Sequence, residues 1–297
     1  MVKVEIELCG RTLRYTPLVA RTPDGVSVSI QVHDGGAAGG RDVLLIHGFS
    51  QCGLAWLKQV TGPLAARHRL VTYDLRGHGA SDKPLDPACY RDPERWADEV
   101  AAVMAVAGLD RPVIVCWSYG GRVALDYLRS RGDAAIAGLV KVASTSTVRP
   151  DVLGPAAPGL RDLALAGDAA ANARAVAALL DMCTAEPLPR DEHALMFGYN
   201  MLVPPAVRLA MGGRAADYDA ALSRLRVPVM AIHGALDRIN LVGMSRHTSA
   251  VAPGAALHVY DRSGHMPFWE ESERFDADLG AFLDGLPPGT ARTVAER

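Results

Sequence analysis

The feature that most limits what this chain can fold into is a succession of short apolar runs. Asp42-Val-Leu-Leu-Ile-His47 and the segments 69–74, 112–117, 136–143, 228–233 and 256–260 are rich in Val, Ile and Leu, and each is too short for an ordinary helix. Runs of this kind are strands buried on both faces. Between them, Trp96, Val100, Val103, Met104 and Ala107 recur at helical spacing, as do Val123, Tyr127 and Leu128, and later Phe275, Leu279, Phe282 and Leu283. Strands alternating with helices predict an α/β chain built on a mostly parallel, doubly wound sheet. Right-handed crossovers leave few topologies open to it.

One stretch breaks the alternation. Residues 145–226 are Ala-rich, are punctuated by Pro150, Pro155, Pro158, Pro187, Pro189, Pro204 and Pro205, and contain no convincing strand. Apolar segments at 164–180 and 195–203 predict several short helices, too rich in large apolar side chains to stay solvated. The 297 residues therefore divide into a first core part at 1–144, a helical insertion at 145–226 and a second core part at 227–297. Within the first part, residues 1–12 are an N-terminal extension. Val2, Val4, Ile6 and Leu8 alternate there with Lys3, Glu5 and Glu7, the period of a half-buried strand, which would extend the sheet edge or pair with a second subunit. The tail 287–297 reads as frayed.

Charge and cysteine usage exclude several function classes. The 31 basic and 33 acidic residues give a formal charge of −2, without the basic excess of a nucleic-acid-binding surface. No apolar stretch approaches the roughly 18 residues of a membrane span. The start has no charged-then-apolar export signal, so the cytoplasm is the default setting. Cys9, Cys52, Cys89, Cys116 and Cys183 are odd in number and show neither metal-ligand nor redox spacing. No disulfide framework, metal or cofactor is expected.

The chemistry concentrates in Cys116-Trp-Ser118-Tyr-Gly120-Gly121, directly after a buried strand and directly before a helix. A sharp strand-to-helix turn presents a serine at the carboxyl edge of a sheet, and it needs small neighbours because the two backbones approach closely. Cys116 stands where the first glycine of such a turn is usual. Read blandly, Ser118 is a helix N-cap. Its companions argue otherwise. Asp237 lies on the loop after strand 228–233, and His265 on the loop after strand 256–260, so nucleophile, acid and histidine follow in the order this turn requires. Read singly, Asp237 is a turn residue and His265 a loop histidine; Asp261 is the second candidate acid. The imidazole would take the serine proton and return it to the leaving group, with the carboxylate fixing its tautomer. Backbone amides must hold the oxyanion, and Tyr119 and Phe49 are the candidates, ahead of Ser50.

These residues resemble the serine α/β-hydrolase fold superfamily, with the nearer likeness to bacterial esterases and cofactor-free haloperoxidase-like hydrolases. The likeness rests on His47-Gly-Phe, Tyr73-Asp-Leu-Arg-Gly-His-Gly-Ala-Ser-Asp82, the turn at Ser118, Gly234-Ala-Leu-Asp237 and Gly264-His265-Met-Pro-Phe. It implies an α/β-hydrolase fold with 145–226 as a helical cap. It also implies that the 76–82 loop is structural, which makes His78 a packing residue, and the same reading applies to His47 and His233. A serine nucleophile excludes the relatives that open epoxides or alkyl halides through a carboxylate. Ester or thioester hydrolysis through an acyl-enzyme leads. C–C bond hydrolysis with the same side chains is the chemical rival, and a non-hydrolytic enzyme or receptor for a natural-product-like ligand is the rival from another class. The substrate is expected to be a small-to-medium hydrophobic molecule, with Ser50, Trp117 and Met266 as contacts. The working form is a monomer or homodimer, without nucleic-acid or membrane partners.

Overall fold

The computed structural model describes residues 2–34, 40–214 and 216–287, so the tail beyond Pro287 lies outside the described residues. The strands are β1 (Val4–Leu8), β2 (Arg11–Arg21), β3 (Ser27–Asp34), β4 (Asp42–Ile46), β5 (Arg69–Tyr73), β6 (Val113–Trp117), β7 (Gly138–Val142), β8 (Val229–Gly234) and β9 (Ala256–Tyr260). They form one sheet in the order β1-β2-β3-β5-β4-β6-β7-β8-β9. The first three join antiparallel up to the β3–β5 pair, and every pair from β5 to β9 is parallel. The fold is that of an α/β hydrolase, as the resemblance implies.

Side-chain alternation splits each central strand between two cores. Leu44, Ile46, Ile114, Cys116 and Leu139 face one layer, packed under α1 (Pro93–Val106) and α2 (Gly120–Arg131). Val43, Leu45, Val113, Val115, Trp117, Val140 and Val142 face the other. A fully apolar strand is the sequence signature of burial on both faces because both faces are covered. The strand order turns back at β4, so the loops after β4 and β6 flank one crevice at the carboxyl edge of the sheet. Open α/β sheets bind their ligands at this point.

The N-terminal strand β1 pairs antiparallel with β2 in its own chain. Its outer face is only partly covered, with Ile6 39% exposed. Glu5 pairs with Arg14 at 2.6 Å and Glu7 accepts from Thr12 at 2.5 Å, which puts charge along a free edge that would otherwise invite further strand pairing. Between β7 and β8 the described residues contain helices α3 (Gly159–Leu165), α4 (Ala169–Cys183), α5 (Arg190–Met201) and α6 (Pro205–Met211). The expected apolar segment 164–180 is broken at 166–168, where Asp168 caps α4 by accepting the Ala171 amide at 2.7 Å. After β8 come α7 (Gly243–Val251), α8 (Pro267–Glu270) and α9 (Ser272–Gly285).

One central residue opposes the fold's stability. Lys141 on β7 is 1% exposed, and its Nζ donates to the neutral Thr248 Oγ1 at 3.1 Å. Burial pushes its ammonium down to about 8 from its ordinary 10.5. Below pH 8 both folded and unfolded chains hold the proton, so the full cost of burying it is expressed, roughly 3 kcal/mol. Between pH 8 and 10.5 the unfolded chain holds more proton than the folded one, and the cost fades as pH rises. Lys141→Met should therefore raise Tm at pH 7, and the gain over wild type should shrink towards pH 10.5. Thermal melts of both proteins across that range test this, and a Lys141→Met protein that is less stable at pH 7 contradicts it.

Candidate active site

Ser118 occupies the short turn between Trp117, the last residue of β6, and the first residue of α2. Its φ is 52°, in the left-handed region that a serine adopts only where its surroundings impose it. Here the Ser118 amide donates to Val142 O at 3.0 Å, while its carbonyl accepts from the amides of Gly121 at 3.0 Å and Thr145 at 3.1 Å. A Cβ on Gly120 would come within 2.6 Å of His47 O and 2.7 Å of Ile46 O, and one on Gly121 would overlap Ser144 Oγ. The helix can start this close to the sheet only because both positions lack side chains. Cys116 lies within β6, fully buried, with Sγ 3.5 Å from Val140 O and 3.9 Å from Ser144 Oγ. Burial pushes its thiol up to about 11, so it fills space as a protonated, inert side chain. Ser118 is partly exposed while its neighbours on both sides are buried.

His265 and Asp237 meet on the loops after β9 and β8. His265 Nδ1 lies 2.7 Å from Asp237 Oδ2, and Asp237 Oδ1 accepts from the amides of Ile239 at 2.8 Å and Asn240 at 3.0 Å. His233 adds a second contact, its Nε2 3.2 Å from Asp237 Oδ2 and 2.8 Å from Asn240 O. Burial alone would raise the Asp237 carboxyl. The two imidazoles outweigh that and hold it well below the usual carboxylate range. An ionised Asp237 assigns the Nδ1–H tautomer to His265 and leaves its Nε2 lone pair free. Asp261, the second candidate acid, is exposed. Trp117 Nε1 donates to His265 O at 2.8 Å, so the residue before Ser118 tethers the histidine loop.

The loop after β4 touches the same turn. A Cβ on Gly48 would come 3.0 Å from Trp117 Cε3 and 3.2 Å from Ser118 Cβ. Ser50 spends its amide on His78 Nε2 at 3.2 Å, and its hydroxyl accepts from Arg208 Nε at 3.0 Å. The amides of Phe49 and Tyr119 meet no acceptor among the described residues. His78 and His47 each donate Nδ1–H to a nearby carbonyl and accept an amide at Nε2, from Ser50 and Leu75 respectively. Both must be neutral for this. Burial pushes His78 down to about 4 and His47 well below its ordinary range. These histidines hold loops in place.

Ser50, Trp117 and Met266, the expected substrate contacts, are all buried, and the first two have their polar groups bonded inside the protein. Sequence reasoning missed two supports. The contact of His233 with Asp237 is signalled only by a four-residue spacing at a strand end. Arg208, fully buried on α6, donates to Ser50 Oγ, Asn172 Oδ1 and Asn200 O, all neutral, and no motif marks it. The close approach at Gly120 has a measurable consequence. Gly120→Ala should cost about 3 kcal/mol, because the obstructing atoms are backbone. That corresponds to a Tm drop of roughly 5–10 °C, whereas an unchanged melt would mean the turn has room to relax.

The comparisons with known proteins agree with this architecture. A profile of the alpha/beta hydrolase family matches residues 43–278. The solved structure of an esterase from Rhodococcus sp. ECU1013 is similar with a TM-score of 0.84 and 34% identity, covering 91% of this chain and 99% of that one. By sequence, the 2-hydroxymuconate semialdehyde hydrolase of Pseudomonas sp. (strain CF600) is 27% identical over 280 residues, covering 90% of this chain and 95% of its own length. The pimeloyl-[acyl-carrier protein] methyl ester esterase of Vibrio cholerae serotype O1 is 26% identical, over 82% of this chain and 94% of its own. With the profile spanning β4 to α9 and the sheet order described above, the chain belongs to the alpha/beta hydrolase family.

Proposed function

We propose that this hydrolase cleaves esters or thioesters of small-to-medium hydrophobic acids through Ser118, His265 and Asp237. The observation that carries the reading is the 2.7 Å contact between His265 Nδ1 and an ionised Asp237, on the same sheet edge as a serine held at φ 52°. In this mechanism Ser118 Oγ attacks the acyl carbon as its proton passes to His265 Nε2. The alkoxide formed on the carbonyl oxygen is met by the amides of Phe49 and Tyr119. His265 then gives the proton to the departing alcohol, leaving an acyl-enzyme. A water, deprotonated by the same Nε2, releases the acid and restores Ser118. Asp237 stays ionised throughout and stabilises the transient imidazolium. The likeness to two esterases supports ester substrates. Five cysteines, free among the described residues, support a reducing, cytoplasmic setting.

Wild-type protein should react with a fluorophosphonate, gaining one phosphonyl mass, and Ser118→Ala should not. Correctly folded wild type without labelling would favour a receptor or a non-hydrolytic enzyme. Asp237→Asn should lower kcat by about 10⁴-fold on p-nitrophenyl esters, because the imidazole is then held in the wrong tautomer. Across p-nitrophenyl esters from acetate to hexanoate, kcat/KM should hold or rise, and a steady fall would count against an apolar acyl pocket. A second reading, C–C bond hydrolysis, draws on the likeness to the Pseudomonas hydrolase. Turnover of 2-hydroxymuconate semialdehyde at a higher kcat/KM than any ester in the series would favour it.

A further inference from the structure

The loop that carries His265 is held by more than its neighbour Trp117. The His265 amide donates to Cys183 O at 2.9 Å, at the end of α4, so the inserted helices grip the histidine directly. One residue earlier, the Gly264 amide donates to Glu270 Oε2 at 2.8 Å. The other oxygen of that carboxylate, Oε1, accepts the Ala185 amide at 2.6 Å, two residues beyond Cys183. The Met266 amide faces the same carboxylate. The two segments are in contact along their length, since a Cβ on Gly264 would meet Ala185 N at 2.9 Å. The loop of Asp237 docks on the same segment, where Arg238 Nη2 donates to the carbonyls of Asp181 and Thr184. Residues 181–185 thus brace both the acid and the histidine, and Glu270 is the ionisable side chain that joins the brace to the histidine loop.

We propose that Glu270 is a positioning residue for His265, its carboxylate bridging the amides of Gly264 and Ala185 so that the imidazole is aimed at Ser118. The proposal rests on the reading of Ser118, His265 and Asp237 given above. Two amides, one at each oxygen, call for an acceptor at both positions, which only a carboxylate supplies; a carboxamide would point a donor at one of them. Of the charged and titratable groups around Glu270, the Asp237 carboxylate adds to the upward push on its carboxyl and the Cys183 thiol feels its charge, while the Arg238 guanidinium is held by the Asp181 and Thr184 carbonyls of the same segment. Burial, opposed by the amides, pushes the carboxyl up to about 7. Glu270→Gln therefore mimics the protonated side chain at every pH.

The test compares wild type, Glu270→Gln, Glu270→Asp and Ser118→Ala on a p-nitrophenyl ester from pH 5.5 to 9, with melting curves for each. At pH 8.5, Glu270→Gln should lose 10- to 100-fold in kcat with KM within about twofold, the size of effect expected from small misplacements of a catalytic group. The wild-type-to-Glu270→Gln ratio of kcat should shrink as pH falls through about 7, while Glu270→Asp should recover part of the rate. A folded Glu270→Gln protein with kcat within twofold of wild type at pH 8.5 overturns the proposal. So does a constant ratio across pH, or a loss confined to KM. If Glu270→Gln melts below the assay temperature, Glu270→Asp decides: a folded protein with undiminished kcat and an unchanged pH profile overturns the proposal, and a reduced kcat with unchanged KM supports it. Full activity in Ser118→Ala would instead remove the underlying triad reading.

Discussion

The close approach of α2 to the carboxyl ends of β4 and β7 sets the geometry of the whole sheet edge. Gly120 lies against the carbonyls of Ile46 and His47, and Gly121 against Ser144, so the helix starts where any side chain would be expelled. The chain can reverse from strand to helix in so little space only by putting Ser118 in a left-handed conformation, a strain of order 1 kcal/mol that three backbone hydrogen bonds hold in place. Because the strand order turns back at β4, the loop carrying Phe49 is pressed against the same turn. A strained serine and free backbone amides therefore lie together at one sheet edge as a consequence of topology.

Around that edge the protein arranges buried polar groups in complementary states. His47 and His78 stay neutral because each accepts an amide, whereas Asp237 stays ionised because two amides and two imidazoles face it. Tyr119 is fixed from its far end. Its hydroxyl accepts from Arg214 Nη1 at 3.0 Å and lies 3.3 Å from Met211 O, and Arg214 is in turn paired with the buried Asp126 of α2. The insertion thus contributes Arg214 behind the turn, Arg208 behind Ser50, and the 181–185 segment behind Asp237 and His265. An arrangement so dependent on buried charge lowers stability where charge is uncompensated, as at Lys141. It gains fixed dipoles that need not reorganise during reaction.

Much of this was legible before any coordinate. The apolar runs at 42–47, 112–117 and 228–233 read as strands buried on both faces, and β4, β6 and β8 occupy them. The positions of Ser118, Asp237 and His265 on loops after strands followed from local pattern, since each loop directly follows an apolar run. What stayed hidden were groups whose partners are distant in the chain. Arg208 meets Ser50 across 158 residues, and Glu270 meets Ala185 across 85. Neither distance leaves a trace in periodicity or spacing. Where the apolar segment 164–180 divides into two helices is not visible in its pattern, which runs straight through the Asp168 cap.

Sequence alone determined the α/β class, where the strand–helix alternation breaks, and the chain order in which Ser118, Asp237 and His265 follow apolar runs. These depend on hydrophobic period and on chain order, both of which are local or linear. Only the tertiary structure decided that Asp237 and not Asp261 meets His265, that the Ser50 amide is taken by His78 while that of Phe49 is left free, and that the inserted helices brace the histidine loop. Each of these is a choice among chemically equivalent partners. It is made by which loops the sheet order brings within hydrogen-bonding distance, a few ångströms that no one-dimensional pattern encodes.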